Sequence, residues 1–474
     1  MDLSVADCNK LDPRILPDEF YDSFLSNLAK SWKPSPIWDM LPLELKPGLL
    51  SLLAGKPNPV TFPFTSLSLT VRSPESSPQA QDGTHITLTE EELSTGLQYN
   101  LTRGMPILVN LVTDLMKHVH GVCDNEGWRV SLAPGSQDLI YKSLSAFINP
   151  GDSVLVESPT YPGATPIFQI LQCNAIQIFS DAEGITASSI EDILNNWPSN
   201  KPKPKLLYTI PYGSNPTGVT TSEQRRIQVL RLARKHNFLI IEDDPYFHLY
   251  FGSKPRPPSY FSLERRLGGE IGRVLRLDSV SKILSAGFRF GWVTGPRVLI
   301  DKIDLHSGSS TIQASSIVQM LVYKVLSTWG ISGFLSHTAR IAEFYRARRD
   351  ILEASLRKHM RGLAEWNTPE AGMFCWVKLL LPPRSSTELQ NVNGVKGLDI
   401  DEGDAALFIR SKVIDNGVLV LPGGYAFIDH KRSPYVRISF SLLSESEMDE
   451  AIRRLASVMH EEWDAVSGVN GPSL

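Results

Sequence analysis

The chain has 474 residues, 42% of them hydrophobic and 21% charged, with a formal net charge of −4. This composition supplies a substantial core for one large or two medium folded units and excludes an intrinsically disordered chain. Without a basic excess to neutralise phosphates, nucleic acid is not expected as the main partner, and no apolar run reaches membrane-spanning length. Four cysteines, Cys8, Cys123, Cys173 and Cys375, are widely spaced and form no C-x-x-C pair. Neither a zinc site nor a disulfide framework is suggested, and no other metal site is expected. Four free thiols fit a reducing compartment, and no basic flank with an apolar run opens the chain, so the expected location is cytoplasmic.

In chain order, residues 1–33 read as a helical, partly polar arm. The Pro-punctuated run "KPSPIWDMLPLELKPG" predicts an extended path over a surface, and "VRSPESSPQAQDGTH" (71–85) an exposed loop. A regular pattern begins near residue 86. Ile107, Leu108, Leu111, Val112, Leu115, Met116 and Val119 have the spacing of an amphipathic helix. Short apolar runs at 153–157, 205–210, 238–243, 273–278 and 291–295 read as buried strands. Between two of them, "TTSEQRRIQVLRLARKHN" reads as a helix opened by a capping pair, Thr221 and Gln224. Such alternation predicts an α/β class with a mostly parallel sheet sandwiched by helices.

A long helical stretch (310–360) leads to apolar runs at 374–381, 417–424 and 435–441 and a final amphipathic helix at 445–463, which read as a smaller C-terminal α/β unit. A polar insertion, 382–400, interrupts it. The expected division is an arm at 1–33, a large domain at 86–335, and a small domain from 34–85 plus 336–474.

Ligand groups collect at the carboxyl ends of strands in such sheets. After "FLII" comes "EDDPY", where Asp243 and Tyr246 follow a buried strand. A carboxylate there needs a cation or a donor, unless it is a solvated loop acid. After "LLYTI" comes "PYGSNPTG", which presents the Asn215 amide or is merely a tight turn. After "VSLA" comes "PGSQ", where free N–H groups around Ser136 and Gln137 suit a phosphate, although many helices begin this way without a ligand. After "RVLRLD" comes "SVSKILSAGFRFGW". Ser279 and Ser281 supply hydroxyls, and Arg289 a fixed fork for phosphate. Lys282, near other cations, is either a nucleophilic amine or a solvated loop lysine. Together these make a phosphate cradle, a carboxylate, an amide and a lysine at one sheet edge, a set that matches pyridoxal 5′-phosphate (PLP).

The ordered series "GSQ…Y…NPTG…EDDPY…SxSK…R…R" resembles the fold-type I PLP-dependent aminotransferases of class I/II, within them the fungal aromatic, 2-aminoadipate and kynurenine aminotransferase II branch. The resemblance runs from "KPSPI" through "YVRISFS". It implies that Lys282 bonds the cofactor aldehyde and that Asp243 keeps the ring nitrogen protonated. Tyr246 and Asn215 would bond the ring's phenolic oxygen, and Tyr161 would stack on the ring. Ser136, Gln137, Ser279 and Arg289 match the phosphate cradle. Tyr99 matches a tyrosine that reaches the neighbouring subunit's phosphate, which implies a homodimer with shared active sites. Arg437 matches the clamp for the substrate α-carboxylate, and Gly55 a segment lining the substrate side.

Two positions depart from the family. Ser214 stands where a longer amide is usual, and Trp38 where relatives often carry a basic residue. An aromatic ring cannot pair with a side-chain carboxylate, so Trp38 disfavours 2-aminoadipate, unless it only packs the arm. The expected activity is transfer of an amino group from an aromatic or bulky amino acid to a 2-oxo acid by a ping-pong mechanism. A C–S β-lyase acting on cysteine conjugates is the alternative. A non-catalytic regulator is a third reading, which retention of Lys282, Asp243 and Arg437 opposes.

Overall fold

The computed structural model describes residues 13–76, 83–382 and 403–467. Its centre is a sheet of seven main strands: β1 (Trp128–Ala133), β2 (Ser153–Ser158), β3 (Asn174–Asp181), β4 (Leu206–Thr209), β5 (Leu239–Asp243), β6 (Val274–Ser279) and β7 (Gly291–Pro296). They lie in the order β1-β7-β6-β5-β4-β2-β3, with Gly184–Ile185 as a short edge strand. All neighbours are parallel except β7, which runs antiparallel to β1 and β6, and the edge strand, antiparallel to β3. Strands β4 to β7 are buried at every residue, as expected of a parallel sheet covered on both faces. Sequence reading omitted β3, whose half-exposed residues break up the apolar run that marks its neighbours.

The helices α1 (Pro106–His120), α2 (Ser136–Phe147), α3 (Glu223–His236) and α4 (Arg297–Ser310) belong to this layer system. Helix α1 buries Leu108, Val112, Leu115 and Met116 and stops at Gly121, whose φ of 63° gives a left-handed cap. The expected Thr221–Gln224 capping pair of α3 is corrected. Ser222 is the cap, its hydroxyl accepting from the Arg225 N–H, while Thr221 is buried. Adjacent hydroxyls at a helix start leave the register to tertiary packing.

Helix α5 (Ser316–His359) breaks once, at Gly330 (φ 64°, ψ 178°), and leads to a second sheet. Strands β8 (Ala364–Trp366), β9 (Phe374–Leu379), β10 (Leu421–Pro422) and β11 (Tyr435–Ser439) form it in the order β8-β9-β11-β10, all antiparallel. The run expected as a strand at 417–424 pairs only at Leu421–Pro422. Helix α6 (Glu445–Ser467) packs on α5.

The arm is less helical than its composition suggests. Arg14–Ile15 pairs with Glu270–Ile271, a 3₁₀ turn covers Asp18–Ser23, and the Tyr21 hydroxyl donates to Gly272 O at 2.9 Å. Within the loop expected at 71–85, Val71 and Thr84 instead pair at the end of a ribbon formed by Ser68–Val71 and Thr84–Thr87. The insertion expected at 382–400 falls almost wholly outside the described residues. The expectation of four free thiols is corrected as well. Cys123 is disulfide-bonded, Cys173 and Cys375 are free, and Cys8 is outside the described residues. A bonded Cys123 removes the count of four free thiols as an argument for a reducing compartment. No helix among the described residues is long and apolar enough to cross a membrane.

Candidate functional site

The carboxyl ends of β1, β2, β4, β5 and β6 meet at one edge of the large sheet. Asp243, the last residue of β5, is 2% exposed. Its Oδ2 accepts from the Tyr208 hydroxyl at 2.7 Å, and its buried Oδ1 has no partner among the described residues. Burial pushes its carboxyl up to about 7, against the Tyr208 bond, which lowers it. Strand alternation turns Glu242 and Asp244 to the opposite face. There the Arg276 guanidinium, fully buried, bonds Asp278 through two nitrogens (2.7 and 3.0 Å) and Asp244 at 2.8 Å, and lies 3.4 Å from Glu242. A buried cation thus ties together the acids flanking Asp243 and leaves Asp243 itself facing the site.

The β1–α2 turn builds an anion cradle. Gly135 precedes the helix at φ 91°, and among the described residues no side chain caps the first turn, which leaves its leading N–H groups open to an anion. The Arg289 guanidinium lies over this glycine, where a Cβ would come within 2.8 Å of Nη2. Arg289 holds a left-handed backbone (φ 46°) and donates from Nη1 to Ser281 Oγ and Ala286 O, both at 3.2 Å. Ser279 Oγ accepts from the Ser281 N–H at 3.2 Å. Gln137 Nε2 donates to Gly163 O at 2.8 Å, which joins the cradle to the loop of Tyr161.

Lys282 follows this cradle on the β6–β7 connection. It is partly buried, and among the described residues its amine has no hydrogen bond or ion pair. Burial lowers its pKa, and the positive charges of Arg289 and Arg437 lower it further. The charges of Asp243, Arg437 and Arg289 all act on the Tyr161 phenol, whose pKa burial raises. Arg437, on β11, donates from Nη1 to Asn215 Oδ1 at 2.8 Å and stacks 4.1 Å from the Phe374 ring centroid. Its buried Nε has no partner among the described residues. Phe374 in turn meets Tyr246 edge-on at 6.1 Å.

The loop that bears Asn215 is anchored from below. Glu157, buried on β2, accepts from Thr209 Oγ1 at 2.7 Å and from the Ile210 N–H at 3.1 Å, and burial pushes its carboxyl up to about 7. Ser214 is buried, and its N–H and carbonyl close the loop on Val219 O (2.9 Å) and the Gly218 N–H (2.6 Å).

The chain therefore gathers Ser136, Gln137, Tyr161, Asn215, Asp243, Tyr246, Ser279, Lys282, Arg289 and Arg437 at the carboxyl edge of the large sheet, beside the strand of Arg437. Tyr99 is 48% exposed, and a Cβ built on Gly55 would meet open space. Trp38 falls in the short helix Pro36–Met40, and its side chain is outside the described residues. Sequence reading missed Tyr208, Arg276 and Glu157. Each sits inside an apolar strand run, and the only signal was a polar atom placed where nothing in the motif required one.

An unpartnered carboxylate oxygen, a row of free N–H groups with an arginine above it, and a desolvated amine suit a ligand that carries a cationic ring nitrogen, a phosphate and an aldehyde. Comparison with known proteins agrees. The family model "Aminotransferase class I and II" matches residues 76–455. The chain is 40% identical over 436 residues to the aminotransferase tdiD of Emericella nidulans, covering 92% of this chain and 94% of that one. It is 37% identical over 456 residues to the mitochondrial kynurenine/alpha-aminoadipate aminotransferase of Bos taurus, covering 93% and 99%. Among solved structures it is similar to the aminotransferase Aro8 of Candida albicans, with a TM-score of 0.82, 25% identity, and coverage of 95% and 99%. The chain belongs to the class I and II aminotransferases and is a PLP-dependent transaminase.

Proposed function

We propose that this enzyme moves the α-amino group of an aromatic amino acid to a 2-oxo acid, and that it works as a homodimer. The observation that carries the substrate reading is the aromatic setting of the carboxylate clamp, with Arg437 held 4.1 Å from the Phe374 ring and Phe374 edge-on to Tyr246. Relatives named for aromatic amino acids support it, among them one from Dictyostelium discoideum, 30% identical over 427 residues. Nothing in the comparisons favours a C–S lyase.

When bound, PLP supplies an electron sink that lets the substrate α-carbon release its proton. Asp243 Oδ1 would accept the hydrogen bond of the ring nitrogen, and Tyr208 on Oδ2 fixes the carboxylate for it. The Ser136 and Gln137 turn, Ser279 and Arg289 would hold the phosphate. Tyr161 would cover one face of the ring, and Asn215 and Tyr246 would bond its phenolic oxygen. Arg437 would take the substrate carboxylate with two parallel hydrogen bonds, giving up the one it makes to Asn215. Lys282 Nζ, its pKa lowered by burial and by two arginines, is suited to carry the α-proton away and return it. Tyr99 is assigned to the second subunit's site, which its exposure leaves it free to reach.

Incubation of PLP-loaded protein with a panel of amino acids and cysteine S-conjugates, with 2-oxoglutarate as acceptor, tests this. Aromatic donors are expected to give their 2-oxo acids and glutamate in equal amounts, without free ammonia. Ammonia and pyruvate from the S-conjugates, with no glutamate, would overturn it.

A further inference from the structure

The turn that carries Lys282 is closed mostly on itself. Val280 O accepts from the N–H groups of Ile283 (3.1 Å), Leu284 (2.8 Å) and Ser285 (3.2 Å). The carbonyl next to the lysine, Ile283 O, points away from this knot and meets a side chain from far along the chain, His337 Nε2 at 2.8 Å. A carbonyl only accepts, so Nε2 carries the proton. The ring is held in place by Trp329, with centroids 4.6 Å apart. Trp329 reaches it because Gly330 breaks α5 between the two residues.

His337 is one of several contacts made by the same unbroken stretch of α5, residues 331–359. Phe334, buried, packs edge-on against His248 at 5.2 Å, just beyond the turn of Asp243 and Tyr246. Further on, about 16 Å along the axis from His337 at the rise of an α-helix, Arg348 Nε donates to Phe440 O at 3.0 Å. Phe440 directly follows β11, the strand of Arg437. One rigid rod therefore touches the lysine turn, the segment after Asp243, and the strand of the carboxylate clamp.

We propose that His337 is a positioning residue for Lys282. Helix α5 latches the lysine turn through His337 and holds the Arg437 strand through Arg348, which sets the distance between amine and clamp. This rests on the roles given to Lys282 and Arg437 above. The family motif around the lysine does not contain the latch, which lies 54 residues further along the chain.

Amide hydrogen exchange on cofactor-free protein tests the latch without depending on the cofactor. His337→Leu removes the donor, His337→Asn keeps a donor too short to reach, and His337→Gln restores reach. Exchange in the peptide covering Lys282–Ser285 is expected to speed up about fivefold in the Leu and Asn variants, as for loss of one net hydrogen bond, and to stay near wild type in the Gln variant. In the loaded enzyme, kcat is expected to fall in the same order with KM for the amino donor little changed. Wild-type exchange in His337→Leu, or equal behaviour of the Gln and Asn variants, overturns the proposal. Should the Leu variant fail to fold, the Gln and Asn pair decides. Lys282→Ala serves as the separate control. If it still shows the wild-type cofactor absorbance band, the assignment of Lys282 fails, whatever the exchange data say of the latch.

Discussion

Asp243 is the residue on which the chemistry depends most, and its setting gives two predictions. Its carboxyl is pushed up to about 7 by burial, whereas in the unfolded chain it titrates near the ordinary value of about 3.9. Between these values the native cofactor-free protein binds a proton that the unfolded chain does not. Its stability contribution is therefore complete below about pH 4 and is lost as pH rises to about 7. Asp243→Asn removes this dependence. Measured by urea denaturation of cofactor-free protein, the variant is expected to gain on wild type through that window, by up to about 4 kcal/mol, and the gain should level off above pH 7. A constant difference across the window would rule out the buried, raised carboxyl. Tyr208 supplies the second prediction. Its hydroxyl is the one hydrogen-bond partner Asp243 has among the described residues. Tyr208→Phe leaves both carboxylate oxygens without a donor, and a hydrogen bond to a charged group is worth about 1.5–3 kcal/mol. PLP affinity and kcat are each expected to fall about tenfold, checked by absorbance titration and steady-state kinetics. Unchanged PLP affinity would show that Tyr208 does not orient the acid.

At the scale of elements, the strand ends carried most of what could be read. Strands β2, β4, β5, β6 and β7 were legible as short apolar runs, and the polar residues after them, Asp243, Asn215, Lys282 and Arg289, stood out because buried strands seldom end in such groups by chance. The β1–α2 turn shows why the backbone matters as much as the side chains. Gly135 has a φ of 91° and lies beneath the Arg289 guanidinium, so an added Cβ meets both a strained conformation and Nη2 at 2.8 Å. Gly135→Ala is expected to cost about 1–3 kcal/mol in stability and to displace Arg289, weakening binding of inorganic phosphate to the cofactor-free protein. Calorimetry reads both, and wild-type phosphate affinity in the variant would argue against this cradle. The short strand at Leu421–Pro422 and the Ser222 cap were misread because apolar runs and adjacent hydroxyls fit more than one register until packing selects one.

At the scale of the whole molecule, the site exists because the second sheet brings Arg437 against the edge of the large one. Asn215 comes from the large sheet's edge and Arg437 from the second sheet, and their 2.8 Å hydrogen bond spans residues 222 positions apart. Tyr99 is half-exposed, and large apolar side chains such as Leu50, Leu52 and Val60, which flank Gly55 in sequence, are almost fully exposed. A second subunit would cover such a surface. Sedimentation is expected to give a mass near twice that of the chain, and mixing a Tyr99→Phe variant with a Lys282→Ala variant is expected to yield hybrid dimers with one site free of both changes. A monomer with full activity would overturn the shared-site reading.

The amino-acid sequence by itself determined the fold class, the cofactor and the order of the residues at the strand ends. Those follow from local periodicity and from the chemistry of a few side chains, and neither needs distant contacts to be recognised. Only the tertiary structure decided which buried polar groups serve those residues. Tyr208 under Asp243, Arg276 among three acids, Glu157 beneath the Asn215 loop and His337 behind Lys282 are placed by strand pairing and helix packing over long separations. A polar atom inside an apolar run has no meaning until its partner is known, because burial without a partner is costly and burial with one is nearly neutral.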